Sequence, residues 1–285
     1  MSPVVALRLP VQIDLSAFLA LLLRLQVPHR VTEEAGEQLL WVPGEPLAEQ
    51  VRDLYARYPQ GDPAAQQSDA SPPVAGFVQS LKDSPLTTAM LGLTLLVAAL
   101  TLLGENFALI HWLSFVDFRI QGDYIYFSYL RETLQRGQWW RLLTPMLIHF
   151  GLLHLAMNAL WYWVLGRRIE ARQGPWMLLG LTLVFGLSAN FAQYLYAGPS
   201  LFGGLSGVLY GLLGHCALFQ RLAPSAEYRL PPGLLALMLG WLLLCMTGIF
   251  ELLQLAAIAN AAHVGGLLAG CLTGLAGGLL ARQHR

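Results

Sequence analysis

Charge is scarce in this chain. Only 12% of its 285 residues are Asp, Glu, Lys or Arg, and the formal net charge is zero. Soluble globular domains carry about twice that charged fraction, and a neutral chain offers no electrostatic footprint for nucleic acid as the main partner. Cysteine is nearly absent. Cys216, Cys245 and Cys271 all fall in apolar stretches, at a spacing that fits neither a zinc site nor a disulfide framework, so they read as small buried hydrophobes. No secretory leader is expected, because residues 1–30 carry charges and a proline interrupts their apolar run. The histidines and carboxylates do not form a metal-ligand set, so no metal or other cofactor is expected.

Apolar length is what the chain has. Hydrophobic residues make up 55% of it and the mean hydropathy is +0.52. A hydrocarbon core about 30 Å thick needs about 20 apolar residues per helical span. Six stretches qualify, near 86–104, 146–166, 175–196, 201–219, 233–250 and 257–280. The expected fold class is an α-helical polytopic membrane protein with six transmembrane helices.

Residues 1–60 differ. "VVALRLP" alternates as a strand does, and "DLSAFLALLLRLQV" follows with Asp14 or Ser16 as a helix N-cap. "HRVTEE" and "EQLLWVP" flank Gly36 as a hairpin, and "PLAEQVRDLYARY" is amphipathic behind Pro46. The order β-α-β-β-α gives a small α+β cytosolic domain over 1–60. Residues 61–84, which take in most of the stretch "PQGDPAAQQSDASPP", read as a linker to a membrane domain over 85–285.

Basic residues orient the spans. Lys82 precedes the first; Arg167, Arg168 and Arg172 follow the second; Arg221 and Arg229 follow the fourth; Arg282 and Arg285 follow the sixth. Both termini are therefore expected in the cytoplasm. Loop 105–145 should then be external, yet it holds four arginines. Its many aromatic residues, among them Phe115, Phe118, Tyr124, Tyr126, Phe127, Tyr129, Trp139 and Trp140, suggest a segment lying in the membrane interface.

Spans two, four and six all enter from outside, and each carries polar groups. The second has His149, His154 and Asn158, the fourth Ser206, the sixth His263. At helical rise Ser206 and His263 should lie ~8–9 Å below the starts of their spans, and His154 ~12 Å below its own. Glycines fit the same picture. Gly203, Gly207 and Gly211 repeat every four residues, as do Ala262, Gly266, Gly270, Gly274 and Gly278. Such stripes let two membrane helices approach closely, which a serine activated by an imidazole about 3 Å away requires. Tyr210, one turn beyond Ser206, is placed to pack on His263. Glu170 and Glu251 fall at span ends, which leaves the pair without a carboxylate helper. His29, His111, His215 and His284 are not expected to take part.

Three separated motifs now stand in order: "HLAMN", "GGLSG" and "AHVGG". Together with "QWWR" ahead of the second span they resemble the rhomboid intramembrane serine proteases, bacterial members especially, over about 86–281. The resemblance implies a six-helix bundle with Ser206 as nucleophile and His263 as general base. It implies an oxyanion hole from His154, Asn158 and the Ser206 amide, with Tyr210 packed on the base and Gly204 just ahead of the nucleophile. Substrates would be single-pass transmembrane proteins, reached through membrane lipid and entering near spans two and five. The location would be the bacterial inner membrane. Met157 and Cys245 stand where bulkier aromatics are expected at the substrate gate. Without the resemblance, a transporter or a non-catalytic binder of membrane-embedded helices remains open. A transporter should also carry ionisable groups deeper and an inverted repeat.

Overall fold

The computed structural model describes residues 3–60, 76–253 and 257–283. Most of the linker expectation (61–75), part of the 251–256 roof, His284 and Arg285 lie outside the described residues. The chain divides into two compact units, Met1–Gly76 and Phe77–Arg285.

The first unit is a three-stranded antiparallel sheet with two helices. β1 (Pro3–Pro10), β2 (Arg30–Glu34) and β3 (Glu37–Pro43) lie in the order β1-β3-β2, with α1 (Ser16–Arg24) and α2 (Glu45–Arg57) completing the β-α-β-β-α order. The β2–β3 hairpin turns on Ala35 and Gly36, both at positive φ (50° and 82°), the left-handed pair that a two-residue hairpin of matching twist needs. Phe18, Leu22, Leu40, Ala48 and Val51 form its core. The cap of α1 differs from expectation. Leu15 occupies the N-cap, while the Asp14 carboxylate accepts the Ser16 amide at 2.9 Å. Hydrogen bonds from Ser16 hold that carboxyl below its ordinary pKa.

The second unit is a helical bundle. After α3 (Phe77–Lys82) come α4 (Pro85–Leu100), α5 (Phe107–Leu113), the β4–β5 hairpin (Phe118–Gln121, Tyr124–Phe127) and α6 (Leu130–Gln135). The long helices follow: α7 (Leu152–Gln173), α8 (Pro175–Ala197), α9 (Ser206–Leu222) and α10 (Leu234–Met246). Short α11 (Ile249–Leu252) and long α12 (Asn260–Gln283) close the chain. Among the described residues, two helices, α8 and α12, are long and apolar enough to cross a membrane, and α4 and α10 are shorter apolar helices.

Two helix starts differ from the hydropathy reading, and the difference matters for the site. The apolar run from 146 begins as a 3-10 turn, Thr144–Leu147, and helix α7 starts only at Leu152, after Gly151 at φ 93°. The run from 201 is non-helical until Ser206, because Gly204 sits at φ 114°, outside helical space. Hydropathy reports burial in an apolar phase, not helicity. Ser206 therefore opens its helix; it does not lie one and a half turns inside it. Gly203 precedes the helix, and the close-packed stripe is Gly207 and Gly211 of α9 facing Gly266 and Gly270 of α12. A Cβ on either α12 glycine would run into the facing glycine's backbone.

Segment 105–145 is an ordered set of short elements around one cation. Arg141 is fully buried and donates to the carbonyls of His111 and Ser114, to Gln138 Oε1 and to Asp117 Oδ1. Asp117 also pairs with Arg136 at 3.0 Å and His111 at 2.6 Å. Two of the loop's four arginines thus sit beside the Asp117 carboxylate, which weakens their say in the charge rule. Glu170 is likewise no idle span end. It is buried on α7, where its oxygens accept the Leu86 amide (2.7 Å), the Thr87 amide (2.8 Å) and the Thr87 hydroxyl (2.6 Å). These amides open α4 and have no acceptor within their own helix, so Glu170 caps α4 from a neighbouring helix.

Candidate active site

The site is built where three helices begin. Ahead of α9, the Gly204 amide donates to the Pro145 carbonyl at 3.0 Å, and a Cβ on Gly203 would fall 2.9 Å from that same oxygen. This seats segment 201–205 against the turn that leads into α7. A Cβ on Gly204 would lie 2.7 Å from the His154 ring and 3.6 Å from Asn158 Nδ2. Gly204 thus answers two demands, a left-handed backbone and an imidazole at contact distance. The next residue but one is Ser206. As the first residue of α9 it has no intrahelical acceptor for its amide, which leaves that N–H available to a ligand.

Ser206 Oγ lies 2.8 Å from His263 Nε2, 57 residues along the chain. With Nε2 as acceptor the serine proton points at the imidazole, and Nδ1 carries the ring's own proton. The Tyr210 ring packs on His263 with centroids 5.0 Å apart, and its hydroxyl is fixed by donation to the Met238 carbonyl at 2.9 Å. Asn158 is buried, and its Nδ2 has no hydrogen-bond partner among the described residues. His149 is fully buried beside His154, with ring centroids 5.1 Å apart and Nδ1 3.1 Å from the Leu147 carbonyl. A cavity of about 10 Å³, room for one water, abuts Ser206 between Met146, Asn190, Gly203, Ala259 and Ala262.

The remaining candidates lie apart. His215 is buried further along α9, with Nδ1 3.0 Å from Thr273 Oγ1 and Nε2 3.1 Å from Gln173 Oε1. His29 faces the Val27 carbonyl and His111 faces Asp117. The three cysteines are free, and Cys271 is only partly buried. Met157 is exposed, whereas Cys245 is buried in the last turn of α10, where the exposed aromatic is Trp241. Among the described residues no group of three His, Cys, Asp or Glu is gathered to hold a metal ion. Reasoning from spans two, four and six overlooked Asn190, Gln193 and Asn260. Uncharged amides inside apolar runs were their only signal.

The family model described as Rhomboid domain matches residues 136–279, which covers the whole of this constellation. The chain belongs to the rhomboid family. The Rhomboid N-terminal domain model matches residues 1–69 of the same chain. The rhomboid is 36% identical over 255 residues to Rhomboid protease GlpG of Serratia proteamaculans (strain 568), covering 85% of this chain and 84% of that protein. It is 37% identical over 198 residues to Rhomboid protease GlpG of Yersinia pestis (strain Pestoides F), a match that spans 69% of this chain and 64% of that protein. Membership and relatives together make this rhomboid a serine-type endopeptidase, a hydrolase of bacterial membranes.

Proposed function

We propose that this rhomboid cleaves single-pass transmembrane proteins near the outer face of the bacterial inner membrane, with Ser206 and His263 as its catalytic dyad. The 2.8 Å contact between Ser206 Oγ and His263 Nε2 is the observation that carries the reading. His263 takes the hydroxyl proton as Oγ attacks a peptide carbonyl, and then gives it to the departing amine. Water then splits the acyl-enzyme, with His263 again accepting and returning the proton. The tetrahedral oxygen is negative at each addition. His154, Asn158 and the Ser206 amide are the donors offered to it, and Gly204 keeps His154 close.

The architecture proposed around this chemistry has six transmembrane helices (α4, α7, α8, α9, α10 and α12), both termini cytoplasmic, and a cytosolic domain over 1–60 joined by residues 61–84. Arg167, Arg168 and Arg172 toward the end of α7, Arg221 and Arg229 at and after the end of α9, and Arg282 at the end of α12 support that orientation. All three site helices then begin near the outer face. A regular substrate helix hides its carbonyls in i to i−4 bonds, so attack needs an unwound stretch, which Gly or Pro in the substrate makes less costly. The scissile bond is therefore expected at or just inside the external end of the substrate's apolar segment. Mass spectrometry of products from a substrate of known orientation locates it. A cut at the cytoplasmic end overturns the orientation or the nucleophile. Labelling of Ser206 by a fluorophosphonate separates an activated serine from a transporter or a non-catalytic binder, neither of which reacts covalently.

Asn158→Ala provides a narrower test. Loss of one oxyanion donor elsewhere costs about 10²–10³ in turnover. The variant should lose up to about 10²-fold in turnover while Ser206 still takes up a small activated phosphonate. Unchanged turnover would assign Asn158 to helix packing.

A further inference from the structure

The proposed base has nothing behind it. His263 Nδ1 is buried and has no hydrogen-bond partner among the described residues, so no side chain fixes the direction of the ring from its far nitrogen. Yet a displacement of about 1 Å in a reacting group is enough to cost ~10²-fold in rate. Tyr210 restrains one face of the ring. The other restraint is the backbone of the first turn of α12, on which His263 is the fourth residue.

That turn is gripped at two points by primary amides. Gln193 of α8 accepts the Ala262 N–H at 3.2 Å, next to the base in sequence. Asn260, the first residue of α12, donates from Nδ2 to the Cys245 carbonyl at 3.0 Å. Cys245 lies in the last turn of α10, and its carbonyl accepts the Gly248 amide at 3.3 Å as well as the Asn260 side chain. One side chain thus ties the end of α10 to the start of the helix that carries the base. The other half of that amide, Asn260 Oδ1, is buried with no partner among the described residues. An apolar residue would fill the space without stranding an acceptor. What the position gains from asparagine is the donor.

We propose that Asn260 is a positioning residue for His263. By fixing the first turn of α12 to the end of α10, it holds the imidazole in line with Ser206, the task a carboxylate on Nδ1 performs in a three-membered site. The inference rests on the reading of Ser206 and His263 as a dyad.

The test uses the full-length protein in detergent and two rates, fluorophosphonate labelling of Ser206 and turnover of a model transmembrane substrate. Both need an aligned base. In Asn260→Ala, kcat and the labelling rate are expected to fall together by about 10-fold or more, with KM within about twofold of the parent. Final labelling stoichiometry should stay at the parent level, which shows that the sites are folded. Asn260→Leu keeps about the same size and lacks the donor; it should show the same loss, and it stands in if the alanine variant does not fold. Parent-level labelling and turnover in both Asn260 variants, or a change confined to KM, overturns the inference. Failure of the parent protein itself to label overturns the dyad instead.

Discussion

Ser206→Ala is expected to abolish cleavage of a transmembrane substrate, His263→Ala to do the same, and the double variant to be no worse than either. This is the largest effect expected of any substitution in the chain. The two groups meet at 2.8 Å from separate helices, and neither performs the proposed step alone. Without the hydroxyl there is no nucleophile; without Nε2 there is no acceptor for its proton. Groups that act as one unit give non-additive losses, and removing either member in other serine proteases costs on the order of 10⁶ in turnover. Cleavage is followed on gels and by mass spectrometry, with an unchanged thermal midpoint as the check that each variant is folded. Turnover near the parent level in folded Ser206→Ala would remove Ser206 from the chemistry.

The second large effect is structural. Gly270→Val should unfold the bundle or strip it of activity, although the residue touches nothing in the site. A Cβ at Gly270 would lie 2.6 Å from the carbonyl carbon of Gly211, and one at Gly266 would lie 2.8 Å from that of Gly207. The obstacle is backbone, so it cannot rotate away, and α9 and α12 must separate. Overpacking of this kind costs roughly 1–3 kcal/mol and occasionally more. Any separation also opens the contact between Ser206 and His263, which these same two helices carry. Gly92→Ala is the matched control. Gly92 lies within α4 and a Cβ there meets nothing within 4 Å, so the substitution should raise stability by about 0.5–1 kcal/mol. Thermal midpoints in detergent, read beside turnover, compare the two. A Gly270→Val protein as stable as the parent would show that the helices are not packed as closely as described.

Much of this is legible in the sequence. The β-α-β-β-α order of the N-terminal unit follows from alternation, from Gly36 and from Pro46, all of them local signals. The proximity of Ser206 and His263 was legible because both sit on glycine-rich runs, where the small residues announce a close helix pair. The starts of α7 and α9 were not. Residues 146–151 and 201–205 are as apolar as a helix interior, and only the backbone at Gly151 and Gly204 shows that they approach the site as turns. Glu170 and Arg141 were legible as residues but not as roles. Each satisfies backbone groups far away in sequence, Leu86 and Thr87 for one, His111 and Ser114 for the other. Asn260 and Gln193 were overlooked for the same reason. Their partners are main-chain atoms of other helices, which no local pattern reveals.

That Ser206 opens a helix has an electrostatic consequence. Peptide dipoles add along a helix to a partial charge of about +0.5 e at its N-terminal end. α7 begins two residues before His154, α9 begins at Ser206 and α12 begins three residues before His263, so three positive ends surround one point. With little water to screen them, they create a local potential favourable to anions in a chain of zero formal charge. Negative charge that appears on a substrate oxygen there meets, beside the side-chain donors His154 and Asn158, a fixed field supplied by the main chain of three helices. Tetrahedral anions should accordingly outbind uncharged ligands of the same shape at this end of the bundle.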